Sequence, residues 1–384
     1  MKLILRLCIT LFSASLCAGD LEDMYKNEET ILLTAETFSE KYGKFKWGGK
    51  NQRIAMSKSS TLFEHKIRES IAYFSAKGRL KRLDAWIYNR GDDGDMTKKE
   101  FEKKYKKLIG ELSTYFESKP KRTGIDGVTR SMAYVFTLPN KKQIRLLVGF
   151  QKSPYRADFL NLIIRNKSKE DRIRKSGALE FLVKKDGDVY IDKIPMIDQG
   201  PKGYCVPATL ARIGQHYNVD VSMHEIAMIA DSSSEGGTSV RAALAGVKKN
   251  SSRMRLKIKD IKFVYADLDL RKTASPLALK GKAGELFKTL KDKDRRLSKF
   301  KKEIKKRIDK GLIVTWSLIV GLLPENGKAA RQGGGGHMRI IIGYNDANDE
   351  FIFSDTWGPG HELKRIKCKA AYIVTTGLYE INPR

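Results

Sequence analysis

Cysteine and histidine are scarce in this chain. Four cysteines and five histidines occur among 384 residues, and two of the cysteines lie in the leader described below, which leaves Cys205 and Cys368. Exported proteins that depend on disulfides usually carry more cysteines, although one bridge between these two stays open and would silence a nucleophilic Cys205. The histidines and cysteines do not pair at ligand spacing, so we predict no metal site and no cofactor.

Long apolar runs are missing beyond the N-terminus. There, a charged start precedes an apolar stretch from Leu7 to Leu16, and the small pair Ala18-Gly19 and Asp20 follow it. About a dozen apolar residues are too few to span a bilayer, and this order of charged, apolar and small residues is typical of an export signal. We predict a signal peptide at residues 1–19 and an exported protein that is periplasmic, at the cell surface or extracellular. An uncleaved anchor or a buried first helix is the alternative.

Acidic residues are few relative to basic ones. The chain has 74 Lys and Arg against 45 Asp and Glu, a formal net charge of +29. This charge leaves two alternatives open, attraction to an anionic surface, polymer or substrate and a solvated surface without such a partner. The densest basic run, Lys280 to Lys310, carries apolar residues at helical spacing, and we interpret it as an amphipathic helix with a solvated basic outer face. Aromatic residues do not interleave with these cations, so we expect no specific nucleic-acid partner.

The length predicts two domains. Up to about Lys185 helical and alternating segments are mixed, which predicts an N-terminal α+β domain at 20–185 whose role the sequence does not reveal. A capping box from Thr97 to Glu100 predicts a helix, and the one histidine here, His65, has no predicted partner. The turn Lys184–Gly187 marks the predicted start of a second domain, 186–384. The predicted N-terminal elements are a helical region at 20–42, a helix at 101–116, and strands at 71–74, 83–88, 133–138, 143–150 and 159–164.

The stretch from Tyr190 to Leu210 carries the strongest chemical signal. A loop rich in glycine and proline leads to Cys205 at the start of a predicted helix, and Pro207 suits the first turn of that helix. The free N–H groups and the dipole at a helix N-terminus stabilise a negative sulfur, which is the form that attacks a carbonyl. Gln199, six positions earlier, can donate its amide to the resulting oxyanion together with the Cys205 N–H.

A candidate general base lies far along the chain. His337 follows four glycines and opens a β-rich run, and a second run after a turn ends at Asp355, which predicts a hairpin. Antiparallel pairing would make the two side chains neighbours, so the carboxylate would orient the imidazole while the other ring nitrogen faces the thiol. His361, just past the hairpin, is the rival base. His216 lies at the far end of the Cys205 helix, too many turns from the thiol to serve as the base.

The residues in this order resemble papain-like cysteine peptidases, and Ser354–Gly358 is similar to the Asn-Ser-Trp-Gly element of that family. Three further segments are similar to the bacteriocin-processing, double-glycine-type branch and its exported stand-alone relatives: Ile194–Met196, Tyr204–Thr209 and Gly236–Ser239. The resemblance covers about 190–384. It implies that Gln199 is the oxyanion donor, Cys205 the nucleophile, His337 the base and Asp355 the orienting residue, with Trp357 shielding the pair.

The resemblance implies a papain-like α+β domain. Its Cys205 helix is expected to pack on an antiparallel sheet that contains 312–320, the hairpin and 372–381, with Cys368 packed in the last strand. The expected reaction is hydrolysis of a peptide bond in a peptide or protein substrate through a thioester. Transfer of the acyl group to an amine, and a catalytically inactive scaffold in a cationic binding protein, remain alternatives.

Overall fold

The computed structural model describes residues 21–63, 65–126, 131–139, 141–166, 173–174, 177, 179–201, 203–232, 237–268 and 276–384. The predicted signal at 1–19 lies outside these residues. The described chain is a mixed α+β structure whose N-terminal part is rich in β-strands. Among the described helices, none has the length and apolar character needed to cross a membrane.

An eight-stranded antiparallel sheet dominates the described N-terminal part, in the order β1-β2-β5-β6-β10-β9-β8-β7, and β3 and β4 form a separate small hairpin. Each strand predicted from the sequence is present within a few residues of its predicted bounds. The strands are β1 Lys46–Trp47, β2 Ile54–Ser57, β3 Thr61–Leu62, β4 His65–Lys66, β5 Glu69–Phe74, β6 Leu80–Asn89, β7 Lys121–Asp126, β8 Ser131–Thr137, β9 Gln143–Lys152 and β10 Tyr155–Arg165.

Helices cover one face of this sheet. They are α1 Leu21–Lys26, the 3-10 helix Glu28–Leu32, α2 Ala35–Lys41 and α4 Lys98–Tyr115. The short α3 Arg90–Asp93 instead lies against Tyr204 of the C-terminal half. The predicted capping box is confirmed, because the Thr97 side chain and Glu100 satisfy each other's backbone N–H at the start of α4. Phe101, Leu108 and Leu112 then bury one side of that helix against the sheet. The helical region predicted at 20–42 is three short helices rather than one.

The other face of the N-terminal sheet is buried against the C-terminal half. Ile54, Ile71, Trp86 and Phe159 from the sheet belong to the same apolar cluster as Val206 from the C-terminal half. Since both faces are covered, β6 is buried along nearly its whole length, as central strands with two covered faces are. The two halves therefore share a hydrophobic core.

The C-terminal half contains a second antiparallel sheet, in the order β11-β12-β15-β14-β18-β13, with β16 on β15 and β17 on β16. The turn at 186–187 connects β11 to β12, so this sheet begins a few residues before the predicted boundary, and the division at residue 185 itself stays a prediction. The strands are β11 Leu182–Lys185, β12 Asp188–Ile191, β13 Leu256–Asp260, β14 Val314–Val320, β15 Gly335–Asn345, β16 Glu350–Ser354, β17 Lys364–Lys367 and β18 Thr375–Pro383.

Helices of this half correct two expectations. The described helices are α5 Cys205–His216, α6 Met223–Ile229, α7 Val240–Lys249, α8 Ser251–Met254, α9 Pro276–Thr289, α10 Arg295–Ile308 and α11 Cys368–Val374, with a 3-10 turn at Leu179–Phe181. The basic run at 280–310 is two helices, because the Asp294 carboxylate accepts the N–H groups of Arg296 and Leu297 and starts a new one. Cys368 opens α11 and is buried there, and β18 begins only at Thr375.

The basic outer face of α10 is partly neutralised within the fold. Its apolar side is buried as predicted, through Leu297, Phe300, Ile304 and Ile308. On the outer side, Lys301 pairs with Asp349 and Lys305 pairs with Asp346, both acids lying in the turn between β15 and β16. These ion pairs join α10 to the hairpin that carries the predicted base.

Candidate active site

Cys205 is the first residue of α5 and is half-buried, whereas every later residue of the helix is buried. The helix is enclosed because α6, α7 and β15 pack around it. The Thr209 hydroxyl donates to the Met338 carbonyl at 3.1 Å, which ties α5 to β15. The thiol therefore lies at the one open end of a buried helix.

The predicted hairpin is confirmed. Strands β15 and β16 pair with Ile340 opposite Ser354, and Asp355 follows β16 directly. The Nε2 atom of His337 lies 2.6 Å from the Oδ1 atom of Asp355, and both side chains are fully buried. The carboxylate thus fixes the orientation of the imidazole ring.

The second nitrogen of His337 is turned to the thiol. Within the described residues, Nδ1 makes no well-aligned hydrogen bond, which is common before a substrate is bound. Burial lowers the pKa of His337, but the hydrogen bond with Asp355 and the interaction with the Cys205 thiol outweigh it and hold that pKa above its ordinary value. A raised pKa suits an imidazole that must keep the proton of the thiol.

An arginine that the sequence argument did not identify supports the carboxylate. The Arg339 Nε atom lies 2.6 Å from Asp355 Oδ2, and its guanidinium also pairs with Glu325 at 2.5 Å. Burial raises the pKa of Asp355, but His337, Arg339 and the Thr356 N–H outweigh it and lower that pKa to about 2. Asp355 is therefore a carboxylate at neutral pH.

Trp357 packs directly on the base. Its ring stacks on His337 with centroids 4.5 Å apart and planes 18° from parallel. His361, the rival base, meets the Trp357 ring edge-on at 5.6 Å, and neither of its ring nitrogens has a hydrogen-bond partner among the described residues. The carboxylate of Asp355 thus pairs with His337 and not with the rival, while the His361 carbonyl accepts the Asp355 N–H at 2.9 Å.

Gln199 is held against the residue after the carboxylate. Its backbone N–H donates to the Thr356 carbonyl at 2.9 Å, and its Oε1 accepts the Thr356 hydroxyl at 2.5 Å. Because the amide oxygen points to Thr356, the amide nitrogen is the atom of this side chain that points away from Thr356. Gln199 and Cys205 line the same cleft, as the predicted oxyanion pair requires.

The cleft above the thiol has a volume of about 850 Å³. Gly237 and Thr238 form one wall, just before α7, and Trp357 forms part of another. A Cβ atom on Gly203 would lie 2.3 Å from the Gly237 Cα atom, so only glycine lets these two loops meet. This space is large enough for several residues of a peptide.

Arg212 is a second supporting residue that the sequence argument missed. It is fully buried on α5, and its three nitrogens donate to the Pro195 carbonyl at 2.7 Å, the Asp355 carbonyl at 2.6 Å and the Ser354 hydroxyl at 2.6 Å. Burial lowers the pKa of Arg212 to about 10, against the opposing effect of Asp355. One side chain thus joins the nucleophile's helix to the end of the hairpin.

The remaining histidines and the second cysteine lie elsewhere. His216 is buried at the far end of α5, where burial lowers its pKa to about 3. His65, expected to lack a partner, is bonded to Glu111 at 2.7 Å. Cys205 and Cys368 are both free, so the disulfide that would have silenced the nucleophile is not formed. Across the described ranges, no three His, Cys, Asp or Glu side chains cluster in a way that could hold a metal ion.

Residues 191–379 match the model of the Peptidase_C39 like family. This half of the chain belongs to that family. The resemblance to bacteriocin-processing peptidases is thereby confirmed at the level of the family, and we refer to the matched region as the C39-like domain.

Among solved structures, this chain is similar to xylellain, a cysteine protease from Xylella fastidiosa. The identity is 13%, the match covers 57% of this chain and 100% of xylellain, and the TM-score is 0.30. A likeness at this level supports no argument about the C39-like domain. Among the curated proteins, none matches this chain.

Proposed function

We propose that the protein is an exported cysteine peptidase that hydrolyses peptide bonds through a thioester on Cys205. The observation that carries the proposal is the buried pair of His337 and Asp355. The second ring nitrogen of His337 is turned to the Cys205 thiol at a helix N-terminus. The match of the C39-like domain to a family of cysteine peptidases supports the same chemistry.

Acylation begins with transfer of the thiol proton to Nδ1 of His337. The imidazolium is stabilised by Asp355, and the thiolate by the helix N-terminus and by the imidazolium itself. The sulfur attacks the carbonyl carbon of the substrate, and the oxyanion accepts hydrogen bonds from the Cys205 N–H and the Gln199 amide. His337 then protonates the leaving amine, which leaves a thioester on the sulfur.

Deacylation reverses the roles. A water molecule enters where the amine left and gives a proton to His337 as it attacks the thioester carbonyl. The same two donors hold the second oxyanion, which collapses to a free acid and expels the sulfur. His337 then returns its proton to the sulfur. Trp357 covers one face of the imidazole throughout, so solvent reaches the ring only from the cleft.

Export and binding to an anionic surface are further parts of the proposal. Export is supported by the leader pattern at residues 1–19. Surface binding is supported by the net charge of +29. The ion pairs of Lys301 and Lys305 compensate part of the most basic helix, so any attraction to a polymer would come from charge spread over the whole surface.

The decisive experiment measures alkylation of Cys205 by iodoacetamide between pH 5 and pH 9, with mass mapping of the labelled residue. In the wild type we expect fast labelling that changes little with pH, and in His337→Ala a fall of at least tenfold near pH 6. His361→Ala is the matched control and should behave like the wild type. Slow labelling that rises only near pH ~8.5, as for an unperturbed thiol, and that ignores His337→Ala would overturn the proposal.

Hydrolysis itself is tested with a complex peptide library and mass spectrometry of new termini. We expect cleavage by the wild type and none by Cys205→Ala. Added hydroxylamine should be acylated if the thioester accumulates. New amide bonds between peptides of the library, formed without added hydroxylamine, would favour the acyl-transfer alternative. A reactive thiol that produces no new terminus from any peptide would favour the binding scaffold.

A further inference from the structure

The cleft above Cys205 is completed by a residue of the N-terminal half. Lys58 directly follows β2 and is exposed, and it lines the cleft together with Gln199 and Cys205. Its Nζ atom lies 3.2 Å from the position that a Cβ atom would take on Gly200, the residue after the oxyanion donor. An ammonium group thus lies in the cleft beside the loop that carries the oxyanion donor.

We propose that Lys58 selects substrates with a carboxylate close to the scissile bond. The proposal rests on the peptidase function proposed above and adds a substrate class to it. The carboxylate could belong to an acidic side chain or to the C-terminus of the peptide, and these two sources share the same chemistry at the site.

The backbone that leads to Lys58 is held by contacts between the halves. Asn51, at the approach to β2, donates its amide to the Ile194 carbonyl at 2.7 Å. Gly48 packs so closely that a Cβ atom there would lie 2.5 Å from the Met196 carbonyl oxygen, and Ile54 of β2 is buried in the shared core. Strand β2, which Lys58 directly follows, is therefore anchored on the segment that leads to Gln199.

Charge in the cleft favours an anion. The described residues that line it include two cations, Lys58 and Arg331, and one anion, Asp198. Arg331 pairs with Asp198 at 3.1 Å, whereas no carboxylate of the described residues forms an ion pair with Lys58. Two positive charges against one negative charge leave a net charge of +1, and the uncompensated cation is Lys58.

An uncompensated cation in a cleft discriminates between substrates. It attracts a carboxylate, offers nothing to a neutral peptide and repels a basic one, so the effect is one of selectivity more than of affinity. Long side chains such as lysine adapt to the position of the anion through their flexible stem. Lys58 would act as a specificity-determining residue, distinct from the residues that handle protons.

The first test compares alkylation of Cys205 by iodoacetate and by iodoacetamide, reagents that differ by one negative charge. Lys58→Gln should lower the ratio of the iodoacetate rate to the iodoacetamide rate by up to about fivefold, the limit for two unit charges in contact at about 4 Å in water. Lys44→Gln, which removes an exposed lysine that does not line the cleft, should leave the ratio unchanged. In 1 M salt the difference between the wild type and Lys58→Gln should shrink.

The second test uses peptides that the wild type cleaves, with Glu and Gln exchanged at each position near the scissile bond, and with free or amidated C-termini. A preference for Glu over Gln at one position, lost in Lys58→Gln, would identify a side-chain carboxylate. A preference for the free acid over the amide, lost in the same variant, would identify the C-terminus.

The two proposals fail in different ways. If His337→Ala slows alkylation but Lys58→Gln leaves the iodoacetate ratio at the wild-type value, the peptidase proposal stands and the role of Lys58 is refuted. If alkylation ignores His337→Ala, the peptidase function itself is refuted. Since Lys58 is exposed, the circular dichroism spectrum and melting temperature of Lys58→Gln should match those of the wild type.

Discussion

Replacement of Asp355 by Asn tests how strongly the buried carboxylate is coupled to its surroundings. The pKa of Asp355 falls from 3.8 to about 2 in the folded protein, which corresponds to about 2 kcal/mol in favour of the ionised form. Asn keeps the size of the side chain and an oxygen that can face His337, but it removes the charge. We therefore expect Asp355→Asn to lower the free energy of unfolding by about 2 kcal/mol at pH 7.

The sign of the pH dependence follows from the same pKa. Because the pKa of Asp355 is lower in the folded state, its contribution is fully present above about pH 4 and is lost as the pH falls through about 2. In urea titrations, the free energy of unfolding should therefore fall more between pH 5 and pH 2 for the wild type than for Asp355→Asn. Alkylation of Cys205 at pH 6 should slow by up to about 30-fold, the factor equivalent to about 2 kcal/mol.

Asp346→Asn is the matched control for this experiment. Asp346 lies in the turn of the same hairpin and pairs with Lys305 at the surface, where such a pair is worth at most about 1 kcal/mol. We expect little change in stability and none in the alkylation rate. Wild-type stability at pH 7 together with a wild-type alkylation rate in Asp355→Asn would show that the carboxylate is not coupled to the imidazole.

Further predictions concern Thr356, His361 and Cys368. Thr356→Val removes the hydroxyl that orients the Gln199 amide and should lower kcat for peptide hydrolysis by about tenfold. The alkylation rate of Cys205 should stay at the wild-type value, and equal losses in kcat and in the alkylation rate would point to general damage. His361→Gln should retain the wild-type pH profile of alkylation, because this ring does not pair with the carboxylate. Burial raises the pKa of Cys368, so native Cys368 should resist iodoacetamide and react only after unfolding, as mass mapping would reveal.

Local sequence patterns predicted the centre of the site. Cys205 could be placed at a helix start, and His337 and Asp355 on one hairpin, because each depends on residues within about twenty positions in the chain. Arg339 was missed because its role depends on Glu325 and Asp355, whose positions only the folded sheet reveals. A cation within an otherwise apolar strand was the signal that could have found it, since buried charges require partners.

The N-terminal half shows a second limit of sequence analysis. Its strands could be predicted from alternation and turns, but not that both faces of the sheet would be covered. Asp84 illustrates the difficulty, since it is fully buried in β6 and its charge is balanced by Arg82 two positions away. A polar residue that looks like the outer face of a strand is thus an internal ion pair, which only the packing of the second half explains.

The shared core restricts how such an enzyme could be activated. Many peptidases are made with an inhibitory segment that is later cut away, but here Ile54, Ile71, Trp86 and Phe159 lie in the core that surrounds the nucleophile's helix. Excision of the N-terminal half would open that core and expose an apolar face, which promotes aggregation. We therefore expect the N-terminal half to stay attached in the active form of the proposed peptidase, so that control of its activity would act on access to the cleft.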